Sequence, residues 1–453
     1  MNEKRKVLLI QPNHYQSFES KWIPTNLVYL ASTLIWRGYE PILIDDRFDR
    51  SETLSRIDSN IDDTLLVGIS TVTGSQLRNA VALAKHIKLW YSLEIPIVFG
   101  GAFPSAKPEL CTQYCDYVIQ GQGEYSLTYL CDLIRLGTPP KTPILSPKPV
   151  NISNLQPLPY FNGFINVADY LNPETLAINY ATATGCVGSC GFCYWHDSYK
   201  YSRLPVDTVL FDLGMMKAIY GIRNINFDDG TFFVGRDRVM AIADGLSKLD
   251  VQWRANARID ALKSFAQKDW NKISESGCHL MHIGLEHGSK RILDMMNKRI
   301  VAEDCFDIID RARLSGIQLR FHILLGNPTE TVADLERTGQ LLARMLDKDS
   351  GLDYTVNFFT PYPGCTMTEI AKQHGYKEPT TLEGFMDLEL VNYVNLPTND
   401  REIIKETSPW RADYIVPWFT DEENERYMEV FRQIIPEVID MQTTDGNIET
   451  VYS

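Results

Sequence analysis

Short apolar runs alternate with helical patterns along most of this 453-residue chain, in two blocks divided by a proline-crowded stretch. That alternation constrains the fold more than any other feature, because strands separated by crossover helices assemble into parallel sheets. In the first block Val7-Leu8-Leu9-Ile10 reads as a strand and Asn26 to Trp36 as an amphipathic helix. Pro41 to Asp45 and Leu65 to Ser70 read as further strands, and Ser75 to Trp90 as a helix. Ile95 to Phe99 then leads into Gly100-Gly101, and Asp116 to Ile119 into Gly121-Gln122-Gly123-Glu124, with a last helix behind. Five strands in this rhythm predict an α/β domain over residues 1–136, a flavodoxin/Rossmann-like doubly wound parallel sheet.

Prolines at 139, 140, 143, 147, 149, 157 and 159 then mark residues 137–172 as an extended linker that joins no core. Strand patterns resume at Leu176–Thr182, Ile222–Phe227, Val251–Ala257, Leu280–Leu285, Ile317–Leu324 and Tyr354–Phe359, each separated by a helical stretch. Six βα repeats predict a partial (β/α)6 barrel of the TIM type over residues 173–394. A helix at Glu422–Ile435 is the one pattern in the extension of residues 395–453.

A formal net charge of −14 disfavours a nucleic-acid partner, which needs a basic surface. No apolar run reaches the length of a membrane span, and the N-terminus has no secretory signal pattern, so a cytoplasmic location is expected. Nine cysteines in such a chain point to thiolate chemistry and not to a disulfide framework. Six of them, Cys111, Cys115, Cys131, Cys278, Cys305 and Cys365, are scattered and read as small core residues.

The other three form a motif. Cys186, Cys190 and Cys193 stand in C-x3-C-x2-C spacing, with small residues filling the gaps. Four cysteines saturate a 4Fe–4S cluster, so three on one tight loop leave an iron open to exchange. The competing reading is a structural zinc loop, which needs a fourth Cys or His; His196 is close enough in sequence to be considered.

Strand parity identifies lumen residues. The outer face of a parallel barrel packs on helices and is apolar, so polar residues of the other parity face inward. Asn224, Asn226, Asp228, Arg254, Asn256, Arg258, His282, Gly284, Glu286, Arg320, His322 and Asn357 share that inner parity. Asp228, Asp229, Glu286 and Asn357 fall at C-terminal strand ends, where such barrels place their sites, and the cysteine loop follows the first strand at that same end. In the first domain Gly100-Gly101 and Gly121-x-Gly123 follow the fourth and fifth strands, where doubly wound sheets bind ligands.

Taken together, these pieces resemble the radical S-adenosylmethionine (SAM) enzymes that carry an N-terminal cobalamin-binding domain. The cysteine loop, with Phe192 before the third cysteine, is the most specific match. Phe99 to Ser105 and Gly121 to Glu124 are similar to the tail-binding turns of that domain. Phe227 to Phe233, Ile283 to Ser289, Leu325 to Thr331 and Thr360 to Gly364 are similar to the barrel motifs, in the family's order.

The resemblance implies that Cys186, Cys190 and Cys193 ligate a 4Fe–4S cluster. It also implies that SAM lies across the barrel mouth near Phe192, Asp228, Asp229, Glu286, Arg320, Gly326, Asn327, Pro328 and Asn357. Cobalamin is implied in a crevice that includes Thr71, Gly100, Gly101 and Gly123. A small-molecule substrate and an external electron donor such as flavodoxin or ferredoxin complete the expected partners. The loop Gln11-Pro12-Asn13-His14-Tyr15-Gln16 departs from the D-x-H-x2-G pattern that places a histidine beneath cobalt, so cobalamin without a histidine ligand is expected. The reaction implied is C-methylation. Dehydration, deoxygenation, cyclisation or rearrangement without cobalamin is the alternative, and a non-enzymatic cobalamin or iron–sulfur sensor the third reading.

Overall fold

The computed structural model describes residues 5–14, 21–91, 94–155, 158, 160–193, 200–388, 416 and 419–431. Its first sheet comprises β1 (Lys6–Gln11), β2 (Glu40–Asp45), β3 (Thr64–Ser70), β4 (Ile97–Gly100), β5 (Tyr117–Ile119) and β6 (Ile144–Leu145), in the order β2-β1-β3-β4-β5-β6. Every pairing in it is parallel. Around it lie α1 (Thr25–Trp36), α2 (Arg50–Asn60), α3 (Ser75–Trp90), α4 (Ala102–Ala106), α5 (Pro108–Cys111) and α6 (Glu124–Arg135). The central strands are continuously apolar because both faces are covered. Val7 and Leu9 pack into one core with Leu27 and Leu130, while Leu8 and Ile10 pack into another with Ile57 and Leu77. The strand order reverses between β2-β1 and β3, and doubly wound sheets place ligands beside such a reversal.

The second sheet contains β7 (Ala177–Tyr180), β10 (Asn224–Phe227), β11 (Gln252–Ala257), β12 (Cys278–Glu286), β13 (Gln318–Leu325) and β14 (Asp353–Phe358) in sequence order, all parallel. A short antiparallel pair, β8 (Ala183–Thr184) and β9 (Ser202–Arg203), lies between β7 and β10 in the chain. Among the described residues β7 and β14 are the edges of this sheet, so the barrel is open and partial. Parity holds as expected. Ile225, Trp253, Met281, Ile283, Leu319 and Phe321 are buried against the outer helices. Asn226 is level with Arg254, His282 with Arg320, and Gly284 with His322 on the lumen side.

The proline-crowded segment is a correction to the sequence reading. It is no free linker. Ile144–Leu145 pairs with β5 and extends the first sheet to six strands. Val150, Ile152, Leu158, Tyr160, Phe164, Ile165, Val167 and Tyr170 are all buried in the large core shared with the barrel. Tyr170 donates its hydroxyl hydrogen bond to Asp45 Oδ2 at 2.9 Å. Proline keeps a segment out of helices and central strands but not from a sheet edge or from burial; an extended strap can still lay its apolar side chains into a seam. Pro157 and Pro159 lie outside the described residues.

Residues 421–431 form the expected C-terminal helix, and residues 432–435 of that expectation lie outside the described residues. Phe431 packs on Phe358 of β14, ring centroids 5.3 Å apart. Among the described residues no helix is long and apolar enough to cross a membrane.

Candidate active site

The cysteine loop leaves β8 at the C-terminal end of the barrel and is pinned from two sides. Gly191 N–H donates to Met296 O at 2.7 Å, and Met367 N–H donates to Gly191 O at 2.9 Å. Asn297 Nδ2 donates to both the carbonyl and the hydroxyl of Ser189, at 2.8 and 2.9 Å. Cys186, Cys190 and Cys193 are all partly exposed, unlike the six other cysteines, which are buried. Arg258 Nη1 donates to Cys190 Sγ at 3.2 Å. Gly188 leaves room for this contact: a Cβ there would lie 2.8 Å from Arg258 Nη1 and push the guanidinium aside. Among the described residues no three His, Cys, Asp or Glu side chains are gathered to hold a single metal ion. His196 lies outside the described residues.

Asp228 and Asp229 follow β10 but have different tasks. Asp229 is buried and accepts from Thr182 Oγ1 at 2.8 Å and Ala183 N–H at 2.5 Å. It thereby anchors the start of the cysteine loop. Burial pushes its carboxyl up to about 7 against those two hydrogen bonds. Asp228 faces the open mouth, takes a hydrogen bond from Asn179 Nδ2 at 2.5 Å, and is raised to about 6 by desolvation within the concave wall.

Glu286 ends β12 with a left-handed backbone, φ 66°. Its carboxylate folds back and accepts from Lys298 Nζ at 2.6 Å, both groups nearly buried. Gly284 makes the room: a Cβ there would lie 2.6 Å from Glu286 Oε1 and from Lys298 Nζ alike. Lys298 also sits 5.8 Å above the Phe192 ring, and its carbonyl accepts from Arg258 Nη2 at 2.7 Å. Lys298 was missing from the sequence reading. It lies in a loop after β12, where neither strand parity nor helix period assigns a direction.

The loop after β13 is also organised from within. Asn327 is fully buried, and its Nδ2 donates to Leu324 O at 2.7 Å and to Glu330 Oε2 at 2.8 Å. Gly326 takes φ 64°, and its N–H donates to Tyr427 Oη at 3.1 Å. His287 Nδ1 accepts from Ser289 N–H at 3.0 Å and lies 3.0 Å from Thr338 Oγ1. Its Nε2 lies 3.2 Å from Glu330 Oε1. Asn357 Oδ1 is buried without a hydrogen-bond partner on the lumen side of β14.

Arg320 is not with this group. It pairs with Asp353, the first residue of β14, near the N-terminal end of the strands. His282 Nδ1 and His322 Nε2 lie 3.1 Å apart deeper in the lumen than Glu286. Burial, the neighbouring His322 and the arginines at 254 and 320 hold His282 neutral, down to about 2.

The first domain contributes an open cleft between its sheet, α1 and α6. Leu9, Leu27, Leu30, Val98, Ile119 and Leu127 wall it, and Gly100, Gly101 and Gly123 lie at its rim. A Cβ on Gly101, φ 106°, would lie 2.5 Å from Thr71 O, so only glycine fits. Thr71 stands behind this turn, fully buried, and its N–H donates to Gly100 O at 2.8 Å. The lining residues include no histidine; Tyr15 and Gln16 of the first loop lie outside the described residues. Gln122 joins the two sites: Nε2 donates to Thr184 Oγ1 at 3.3 Å, just ahead of Cys186, and Oε1 accepts from Val150 N–H at 3.3 Å.

The Radical SAM superfamily description matches residues 180–342, and the B12 binding domain description matches residues 15–130. An uncharacterised methyltransferase of Pyrococcus horikoshii is 28% identical over 395 residues, covering 81% of this chain and 83% of that one. A bacteriochlorophyllide d C-12(1)-methyltransferase of Chlorobaculum tepidum is 24% identical over 437 residues, covering 89% and 88%. Among solved structures, the radical SAM methyltransferase TsrM of Kitasatospora setae, with tryptophan and a SAM analogue bound, has the same fold. Its TM-score is 0.67 at 17% identity, over 99% of this chain and 92% of that one.

The family's cofactors are a 4Fe–4S cluster, SAM and cobalamin, and the residues present fit them. Three accessible thiols stand on one pinned loop, the lumen ends in polar groups, and a largely apolar cleft carries at its rim Gly101, which no larger residue could replace. A B12-binding domain at residues 15–130 ahead of a radical SAM domain at residues 180–342 is the domain order of the radical SAM enzymes that this chain resembles.

Proposed function

We propose that this protein is a C-methyltransferase acting on a small polar molecule held at the barrel mouth. The observation that carries the reading is the tie from Gln122 to Thr184, which sets the rim of the cleft against the strand leading into Cys186. When bound, cluster and SAM supply the hydrogen-abstracting 5′-deoxyadenosyl radical, and cobalamin supplies the methyl group.

The chain's own residues do the rest. Cys186, Cys190 and Cys193 hold the cluster, with Arg258 balancing thiolate charge at Cys190. Glu286 and Lys298 form a polar clamp beside Phe192 for the amino-acid end of SAM. The loop Leu325–Pro328, stiffened by Glu330, supports its adenine. Asn357 Oδ1 and Asp228 offer acceptors to SAM or substrate. An external reductant such as flavodoxin or ferredoxin delivers electrons to the cluster. The polar lumen favours a polar substrate. The names of the two relatives support methyl transfer over rearrangement.

An anaerobic assay of the reconstituted protein tests this, with products counted per turnover. One 5′-deoxyadenosine and one S-adenosylhomocysteine per methylated product support C-methylation. Deoxyadenosine with no S-adenosylhomocysteine and no methyl mass gain would replace it with deoxygenation or rearrangement.

A further inference from the structure

Glu124, the first residue of α6, lines the cleft and is only 6% exposed. Its Oε2 is buried with no hydrogen-bond partner. The backbone carbonyl of the same residue is fully used, accepting from Thr33 Oγ1 at 2.9 Å and Thr128 Oγ1 at 3.0 Å. The neighbouring Gln122 is also committed, through both ends of its amide. Most of the surrounding wall is aliphatic, from Leu9 and Leu30 to Ile119 and Leu127. A carboxyl oxygen left without a partner in such a wall costs stability, and the cost is recovered only if a ligand brings the partner.

We propose that Glu124 is the polar anchor for the nitrogen base that ends the cobalamin nucleotide tail, hydrogen-bonding the ring nitrogen that is free when the base is off cobalt. This rests on the reading that the cleft takes cobalamin. The chemistry is complementary. A flat aromatic base fills an apolar slot and carries one basic ring nitrogen that must be satisfied there. One proton shared between a carboxyl group and that nitrogen makes a hydrogen bond whichever atom holds it. Burial pushes the Glu124 carboxyl up to about 7, so it carries the needed proton near neutrality. Apolar walls with one placed polar group are the usual grammar of a cofactor site.

The test compares two corrinoids on the full-length protein. Hydroxocobalamin carries the tail and base; cobinamide has the same corrin and neither. Affinities are measured by absorbance titration for wild type, Glu124→Ala and Glu124→Gln, with a thermal melt of each. Glu124→Ala is expected to weaken hydroxocobalamin by roughly tenfold, the scale of one buried hydrogen bond, and to leave cobinamide within about twofold. Glu124→Gln, whose amide N–H can donate to the ring nitrogen, is expected to retain most of the affinity and carries the test if the alanine variant does not fold. Equal losses for both corrinoids, or no loss for hydroxocobalamin, overturn the proposal. So does a wild type that binds the two equally, since the tail is then unread. A wild type that binds neither overturns the cobalamin reading as well, which separates the two failures.

Discussion

Tyr427 donates its hydroxyl hydrogen bond to Glu330 Oε1 at 2.5 Å, and the same oxygen of Tyr427 accepts from Gly326 N–H at 3.1 Å. A helix near the end of the chain thereby fixes the loop after β13, which lies on the barrel mouth. Both partners are buried. Tyr427→Phe removes two hydrogen bonds and leaves Glu330 short of one donor, a loss of about 1–3 kcal/mol. The expected outcome is weaker SAM binding by calorimetry with an unchanged iron and sulfide content. Unchanged SAM affinity in a destabilised variant would make Tyr427 a purely structural tie.

Replacing Cys186, Cys190 or Cys193 singly by Ala is expected to abolish cluster assembly and SAM cleavage together. Replacing Cys131, which is buried within the first domain, is expected to leave both intact. Iron and sulfide at wild-type levels in all three single variants would remove the loop from the cluster.

The buried pair of Glu286 and Lys298 gives a prediction with two parts. Glu286→Gln leaves the Lys298 ammonium without its carboxylate, and breaking a buried pair from one side costs about 3–5 kcal/mol. Chemical denaturation of the apo protein is expected to show most of that loss. The double variant Glu286→Gln with Lys298→Met is expected to regain stability but not SAM affinity. Recovery of SAM binding in the double variant would show that the pair serves the fold alone.

Glu124 also predicts a pH dependence. Its folded-state pKa, about 7, lies above that of an unfolded glutamate. The folded state therefore binds the proton more tightly, and its stabilisation is complete below the unfolded pKa and lost as pH rises through 7. The apo protein is expected to lose up to roughly 3 kcal/mol from this group between about pH 4 and pH 7. Denaturation midpoints across that window check it, and Glu124→Gln is expected to flatten the profile. An identical slope in wild type and variant would assign the dependence to other acids, such as Asp212, raised to about 6 by its burial.

The sequence by itself determined five of the six strands of the first sheet, all six of the second, the barrel's inward parity and the cysteine loop. These are local or periodic properties: two-residue alternation assigns Arg254 and His322 to the lumen wherever the strands pair, and C-x3-C-x2-C needs only one turn of chain. The tertiary structure alone decided which polar residues share a site. Arg320 and Glu286 have the same inward parity, yet Arg320 pairs with Asp353 at the far end of the strands while Glu286 meets Lys298 at the mouth. Parity gives the face and not the height, because register depends on neighbouring strands. Lys298 was invisible, and Glu124 was legible only as part of a glycine-rich turn, for a related reason: their roles depend on what lies across a gap from them. The proline-crowded segment shows the same limit. Composition reports that the prolines from 139 to 149 disfavour regular elements, but not that Ile144–Leu145 will pair at the sheet edge, nor whether Val150, Ile152 and Tyr160 will find an apolar seam to fill, and here the contact between two domains supplies it.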